Sequence, residues 1–64
     1  MKIKYDKETD IIYIRLSDEK ITETDEDKPG VILDYDIHGN IAGIEVLNAS
    51  SKLGQVNSVE YEYA

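Results

Sequence analysis

The sequence predicts a small, mainly β protein: one antiparallel meander of about five strands, with one short helical turn near Ser50–Leu53. Three observations carry this expectation. Apolar and polar residues alternate with period two over most of the chain, the pattern of strands with one wet face. β-branched and aromatic residues concentrate in those stretches. Short polar runs, Pro29-Gly30 and Ile37-His38-Gly39-Asn40 punctuate them at turn spacing. A chain of 64 residues allows one domain at most, so residues 1–64 are read as a single unit.

The elements follow in order. Met1, Ile3 and Tyr5 alternate with Lys2, Lys4 and Asp6, which predicts a first strand. Lys7-Glu8-Thr9-Asp10 is a polar break of turn length. Ile11 to Leu16 reads as a second strand, hairpin-paired with the first, with Ile12, Ile14 and Leu16 on one face and Ile11, Tyr13 and Arg15 on the other. Residues 17–30 hold Asp18, Glu19, Glu23, Asp25, Glu26 and Asp27, so they are read as mostly solvated, with a short third strand at Lys20–Thr24 anchored by Ile21. Pro29-Gly30 makes a turn. Val31, Leu33 and Tyr35 then oppose Ile32, Asp34 and Asp36 in a fourth strand. After the turn at residues 37–40, Ile41 to Leu47 forms a fifth, in which Gly43 signals a bulge or a close backbone approach. Asn48 to Gly54 has the composition of a loop or a single helical turn, with Gly54 as its C-cap. Ser58 to Tyr63 alternates cleanly and prefers a strand.

Composition removes several function classes. The chain has no Cys, one His, 7 Lys+Arg and 14 Asp+Glu, for a net charge of −7. Disulfide frameworks and Cys-based zinc sites are excluded. Direct nucleic-acid binding is disfavoured, because phosphate contacts need basic clusters. No apolar run approaches the length of a membrane span, the longest being Ile11–Ile14, and no signal-like segment opens the chain, so a soluble cytoplasmic protein is expected. A domain this small buries only about 60% of its unfolded surface and needs a supplement. Without disulfides, that supplement is association, most simply a homodimer.

Two separated blocks resemble a known family. They are M-K-I-K-Y-D-K-E-T-D-I-I-Y-I-R-L-S (Met1 to Ser17) and G-V-I-L-D-Y-D-I-H-G-N-I-A-G-I-E-V-L-N-A-S (Gly30 to Ser50). Their order and spacing look like the domain of unknown function 2283 family of short bacterial and archaeal proteins, over roughly residues 1–50. The resemblance implies a small β-rich domain without an established enzymatic activity. Many members continue after N-A-S into a helix-forming tail, whereas S-K-L-G-Q-V-N-S-V-E-Y-E-Y-A is short and strand-like here. Some members are encoded beside small proteins resembling toxins of toxin–antitoxin pairs, which implies an antitoxin-like role as one version of partner binding.

The sharpest chemical lead is Asp34-x-Asp36-x-His38-Gly39 with Glu45. It nearly fits the calcium-loop pattern, with Gly39 sixth and Glu45 twelfth from Asp34. Against it, His38 takes an oxygen-ligand position, and Val31–Leu33 after Pro-Gly is a strand start rather than a helix. A β-hairpin whose Asp and Asn cap the turn explains the same residues. A second carboxylate group, Asp6, Glu8 and Asp10, lies at the first turn, with no phosphate-cradling loop or basic pocket beside it. Histidine is the side chain suited to general-base work, but His38 has no predicted nucleophile or orienting partner. The reading is therefore not an enzyme, with no catalytic, cofactor or metal residues assigned.

The aromatic residues are all tyrosine, a residue that suits interfaces because it joins an apolar body to a polar tip. Tyr13 stands with Ile11 opposite Ile12 and Ile14, so one strand looks apolar on both sides. Ile11, Tyr13, Tyr61 and Tyr63 are the candidate interface, to be covered by a dimer mate, a partner or the C-terminal tail. The acidic run Asp25-Glu26-Asp27 either docks a basic protein or keeps a sheet edge wet. The sequence thus suggests a non-catalytic interaction module, homodimeric, with a basic partner. The rival is a divalent-cation or small-ligand protein using Asp34, Asp36 and Glu45.

Overall fold

In the computed structural model, which describes residues 1–64, the elements run β1 (Lys2–Asp6), β2 (Ile11–Arg15), β3 (Glu23–Lys28), β4 (Val31–Tyr35), β5 (Ile41–Leu47) and α1 (Ala49–Leu53). The strands form one sheet in the order β1-β2-β5-β4-β3, and every neighbouring pair is antiparallel. Five antiparallel strands and a short helix after them are what the periodicity predicts. The order departs from a purely sequential meander at one connection, because β2 pairs with β5 and the chain crosses to the far edge before forming β3.

Residues 16–22 make that crossing along one end of the sheet. The amides of Leu16 and Ser17 donate to the Ala42 carbonyl at 2.8 and 3.3 Å, and the Thr22 amide donates to the Tyr35 carbonyl at 2.8 Å. Arg15 holds the start of the path: its Nε donates to the Ser17 carbonyl at 2.6 Å, and its Nη2 donates to the Glu19 carbonyl.

The third strand lies at Glu23–Lys28 rather than Lys20–Thr24. Its acidic sequence has poor strand propensity, and tertiary context overrides that. The tight Pro29-Gly30 turn, with Gly30 at φ 81°, delivers the segment antiparallel to β4. As an edge strand with all six residues exposed, it keeps its carboxylates in water. Charge on an edge also discourages unwanted pairing with other chains. The alternation at Ser58–Tyr63 does not produce a strand: residues 55–64 carry no helix or strand. Period two yields a strand only where the segment pairs along an edge, and the outer edge of β1 stays unpaired. Here Val59 and Tyr61 instead lie beside Met1 and Ile3.

Register sorts the side chains into rows across the sheet. Ile3, Ile14, Ile44, Leu33 and Asp25 make one row, and Tyr5, Ile12, Val46, Val31 and Lys28 the next on the same face. Both are apolar across four strands and end in a charge on β3. The opposite face carries Lys4, Tyr13, Glu45, Ile32 and Glu26 in one row and Lys2, Arg15, Gly43, Asp34 and Thr24 in another. One sheet cannot close a core alone. Ile12, Ala42 and Ala49 are the only buried hydrophobic residues, and no large side chain is fully enclosed. The molecule is a slab of 33 × 32 × 19 Å.

Candidate docking face and carboxylate pair

The apolar rows define the first candidate site. Ile14, Leu33, Ile44 and Val46 are each half-buried, sheltered by their strand neighbours but not by a second layer. The tail crosses the β1 side of this face. Met1, Ile3, Val59 and Tyr61 line an open groove of about 500 Å³, and Ile3, Tyr5 and Val56 contribute to an adjoining one of about 270 Å³.

Ile11, Tyr13, Tyr61 and Tyr63 do not form one surface. Tyr13 stands in the polar row between Lys4 and Glu45, with the Lys4 ammonium 5.9 Å from its ring centre. Ile11 lies on that face between Asp6 and Leu47 and is half-buried. Tyr61 lines the groove with Ile3, the apolar-face residue, and Tyr63 is 88% exposed. The more apolar side of β2 is thus the Ile12/Ile14 side. Within one strand both sides look apolar. The residues that flank Tyr13 in register, Lys4 and Glu45, make its side polar.

The second candidate is the carboxylate region. Asp34, 5% exposed, accepts a hydrogen bond on Oδ1 from Thr24 Oγ1 at 2.9 Å. It lies opposite Gly43, where a Cβ would stand 3.2 Å from Asp34 Oδ2 and 3.3 Å from the Ile14 carbonyl oxygen. Gly43 therefore makes room for the carboxylate, which is the close approach its position in a strand signals. Glu45 lies two residues further along the same face. Burial holds its carboxyl above the usual value of 4.5, reinforced by its hydrogen bond to Asp34 and by the Asp34 charge. In its protonated form Glu45 is the donor in that pair.

Asp36 does not join them. Its Oδ1 accepts from the amides of His38 at 2.9 Å and Asn40 at 3.0 Å, and the Asp36 amide donates to the Asn40 carbonyl at 2.9 Å. Gly39, at φ 80°, completes the turn. The segment that imitates a calcium loop is thus a hairpin connection between β4 and β5, with Asp36 as its cap. No group of three or more His, Cys, Asp or Glu stands together in a geometry to hold a metal ion. His38 is exposed at the tip of this turn.

A third cluster escapes sequence reasoning. Asp10, at φ 58°, accepts from the Tyr5 hydroxyl at 2.7 Å and the Ser50 amide at 3.0 Å on Oδ1, and from the Ser50 hydroxyl at 2.7 Å on Oδ2. The Asp10 carbonyl accepts from the Ala49 amide at 3.0 Å. Asn48 at the helix N-cap makes no side-chain capping bond, so Asp10 caps α1 from across the fold. These donors, Ser50 first, hold the Asp10 carboxyl below its usual value, and the bond to Asp10 raises the Tyr5 hydroxyl above its own. A carboxylate so stabilised is a weak base, and the cluster works as a clasp between the first hairpin and α1. No local pattern could have paired residues 10 and 50.

No helix is long and apolar enough to cross a membrane. No curated protein and no solved structure shows significant similarity to the chain. The family pattern does match, over residues 2–50, a stretch that holds all five strands and closes on Ser50 of the clasp. The chain belongs to the family described as protein of unknown function (DUF2283).

Proposed function

We propose that this protein is a non-catalytic protein-interaction module that docks a protein partner on its apolar sheet face. One observation carries the reading: the rows led by Ile3 and Tyr5 are apolar across four strands, and beyond the tail beside β1 no other element packs on them. A contiguous apolar surface on a small acidic chain marks an interaction site. The exposed acidic strand β3 flanks that face and favours a rim opposite it that carries lysines, as β1 does at Lys2 and Lys4. An antitoxin-like pairing is one version, and it draws on family likeness alone.

Co-purification from the cells of origin, with wild type and Ile44→Asp side by side, tests this. A stoichiometric partner retained by wild type and lost by the variant supports the reading. A partner that binds both equally, or no stoichiometric partner of any kind, overturns it.

The rival, a divalent-cation or small-ligand site, has two of its three carboxylates together, Asp34 and Glu45, while Asp36 serves its turn. An NMR titration with millimolar calcium separates the two. Shifts at Asp34 and Glu45 favour the rival, and unmoved resonances favour docking.

A further inference from the structure

We propose that the occupant of the apolar face is a second copy of this chain, packed face to face with the two-fold axis along the strands. The proposal rests on the docking reading above and adds the partner and its orientation.

Area is the first argument. A folded monomer of this mass exposes about 4,200 Å² by the usual surface–mass relation. This chain of 7.3 kDa exposes 5101 Å². The surplus of roughly 900 Å² compares with about 800 Å² removed from each partner in a standard stable interface. Residues 57–64, every one exposed, supply part of it, and the uncovered sheet face is where a second copy would remove the rest.

Charge is the second. A chain of net charge −7 meets its own copy favourably only where charge is absent. The apolar-face residues of β2, β5 and β4 include no charged side chain; the charges on this face stand on β3, at the rim. Two such strips, packed about 10 Å apart, form the interior of an aligned β-sandwich.

The axis follows from the edges. β5 is the central strand of the sheet. An axis along β5 lays β1 of one copy over β3 of the other, sets Ile44 near its own counterpart, and places Ile14 across from Leu33 of the second copy. An axis across the strands would stack β3 on β3, opposing Asp25 with Asp25, and would bring both tails onto the same β1 strip. Like charges directly opposed are destabilising.

The full-length chain is the test object. Sedimentation from about 1 µM to about 1 mM reads association by mass action. Wild type is expected to reach a dimer, Ile44→Asp to stay monomeric, and Ile37→Ser, which alters an exposed turn residue off the face, to match wild type. Isotope-filtered NMR on a mixed-label wild-type sample needs no variant. It is expected to show intermolecular methyl contacts between Ile14 and Leu33. Ile14–Ile14 and Leu33–Leu33 contacts without the cross pair overturn the orientation. A dimer without intermolecular contacts from Ile44 overturns the face. A wild type monomeric throughout that still captures an Ile44-dependent partner overturns the second copy and leaves the docking reading standing. A monomer that captures nothing removes both.

Discussion

Asp10 caps α1 from 40 residues away in sequence: its carboxylate accepts both the amide and the hydroxyl of Ser50. The left-handed backbone at Asp10 aims the carboxylate at α1, and the Tyr5 hydroxyl completes its coordination. A helix of five residues is too short to persist by itself. Replacing Asp10 with Ala is therefore expected to remove amide protection at Ser50 and Ser51 and to lower the melting temperature. The β4–β5 hairpin should keep its protection. Hydrogen exchange measures both, and undiminished protection of α1 would contradict the clasp.

The clasp is also sensitive to pH at both extremes. The Asp10 carboxyl is lowered from 3.8, so its contribution is complete above that value and is lost as pH falls through the folded-state value. The Tyr5 hydroxyl is raised from 10.0, so its contribution is complete below that value and is lost as pH rises through the folded-state value. Carboxyl and tyrosine ring resonances followed by NMR should show Asp10 titrating below, and Tyr5 above, an unstructured reference peptide. Asp10→Asn should bring Tyr5 back toward the reference.

Glu45 has the opposite sign from Asp10. Its carboxyl is raised from 4.5, so stability from the protonated pair is complete below that value and is lost as pH rises through the folded-state value. Glu45→Gln keeps an N–H donor for Asp34 and removes the titration. The variant should be more stable than wild type near neutral pH, with the difference shrinking in acid. Thermal melts across that range check it, and a pH-independent difference would contradict the upward shift at Glu45.

Gly43 has a packing role that a methyl group should expose. Gly43→Ala meets Asp34 Oδ2 at 3.2 Å and the Ile14 carbonyl at 3.3 Å, one side chain and one backbone atom. Overpacking of this kind costs about 1–3 kcal/mol. Denaturant unfolding should show that loss. Asp34→Ala/Gly43→Ala should recover part of it relative to the sum of the single changes, because the tight contact with Oδ2 is gone and only the Ile14 carbonyl stays close.

Strand existence was legible from the sequence wherever period two met β-branched residues: Lys2–Asp6, Ile11–Arg15, Val31–Tyr35 and Ile41–Leu47 all form strands. The third strand was displaced because its residues report solvent exposure rather than pairing, and only the hairpin geometry at Gly30 recruits Glu23–Lys28. The tail alternates but pairs with no strand, although the outer edge of β1 is free. The pairing of β2 with β5 is a long-range choice that no window of sequence contains. It also decides which face is apolar, since it sets Glu45 rather than an apolar residue beside Tyr13. The Asp34–Glu45 pair was in view as part of a near-calcium pattern, while its separation from Asp36 depends on the turn that Asp36 caps. The Tyr5–Asp10–Ser50 clasp left no local signature, because it ties the first hairpin to α1 across 40 residues of sequence.

The Ile14/Ile44/Leu33 face, and not the Tyr13 face, is the proposed docking surface. Methyl relaxation by a soluble paramagnetic agent, compared between dilute and associated protein, tests it most directly. Ile14, Leu33, Ile44 and Val46 are expected to lose their enhancement on association while Ile11 and Ile32 keep theirs. Loss of enhancement at Ile11 and Ile32, with Ile14 and Ile44 unchanged, would contradict it.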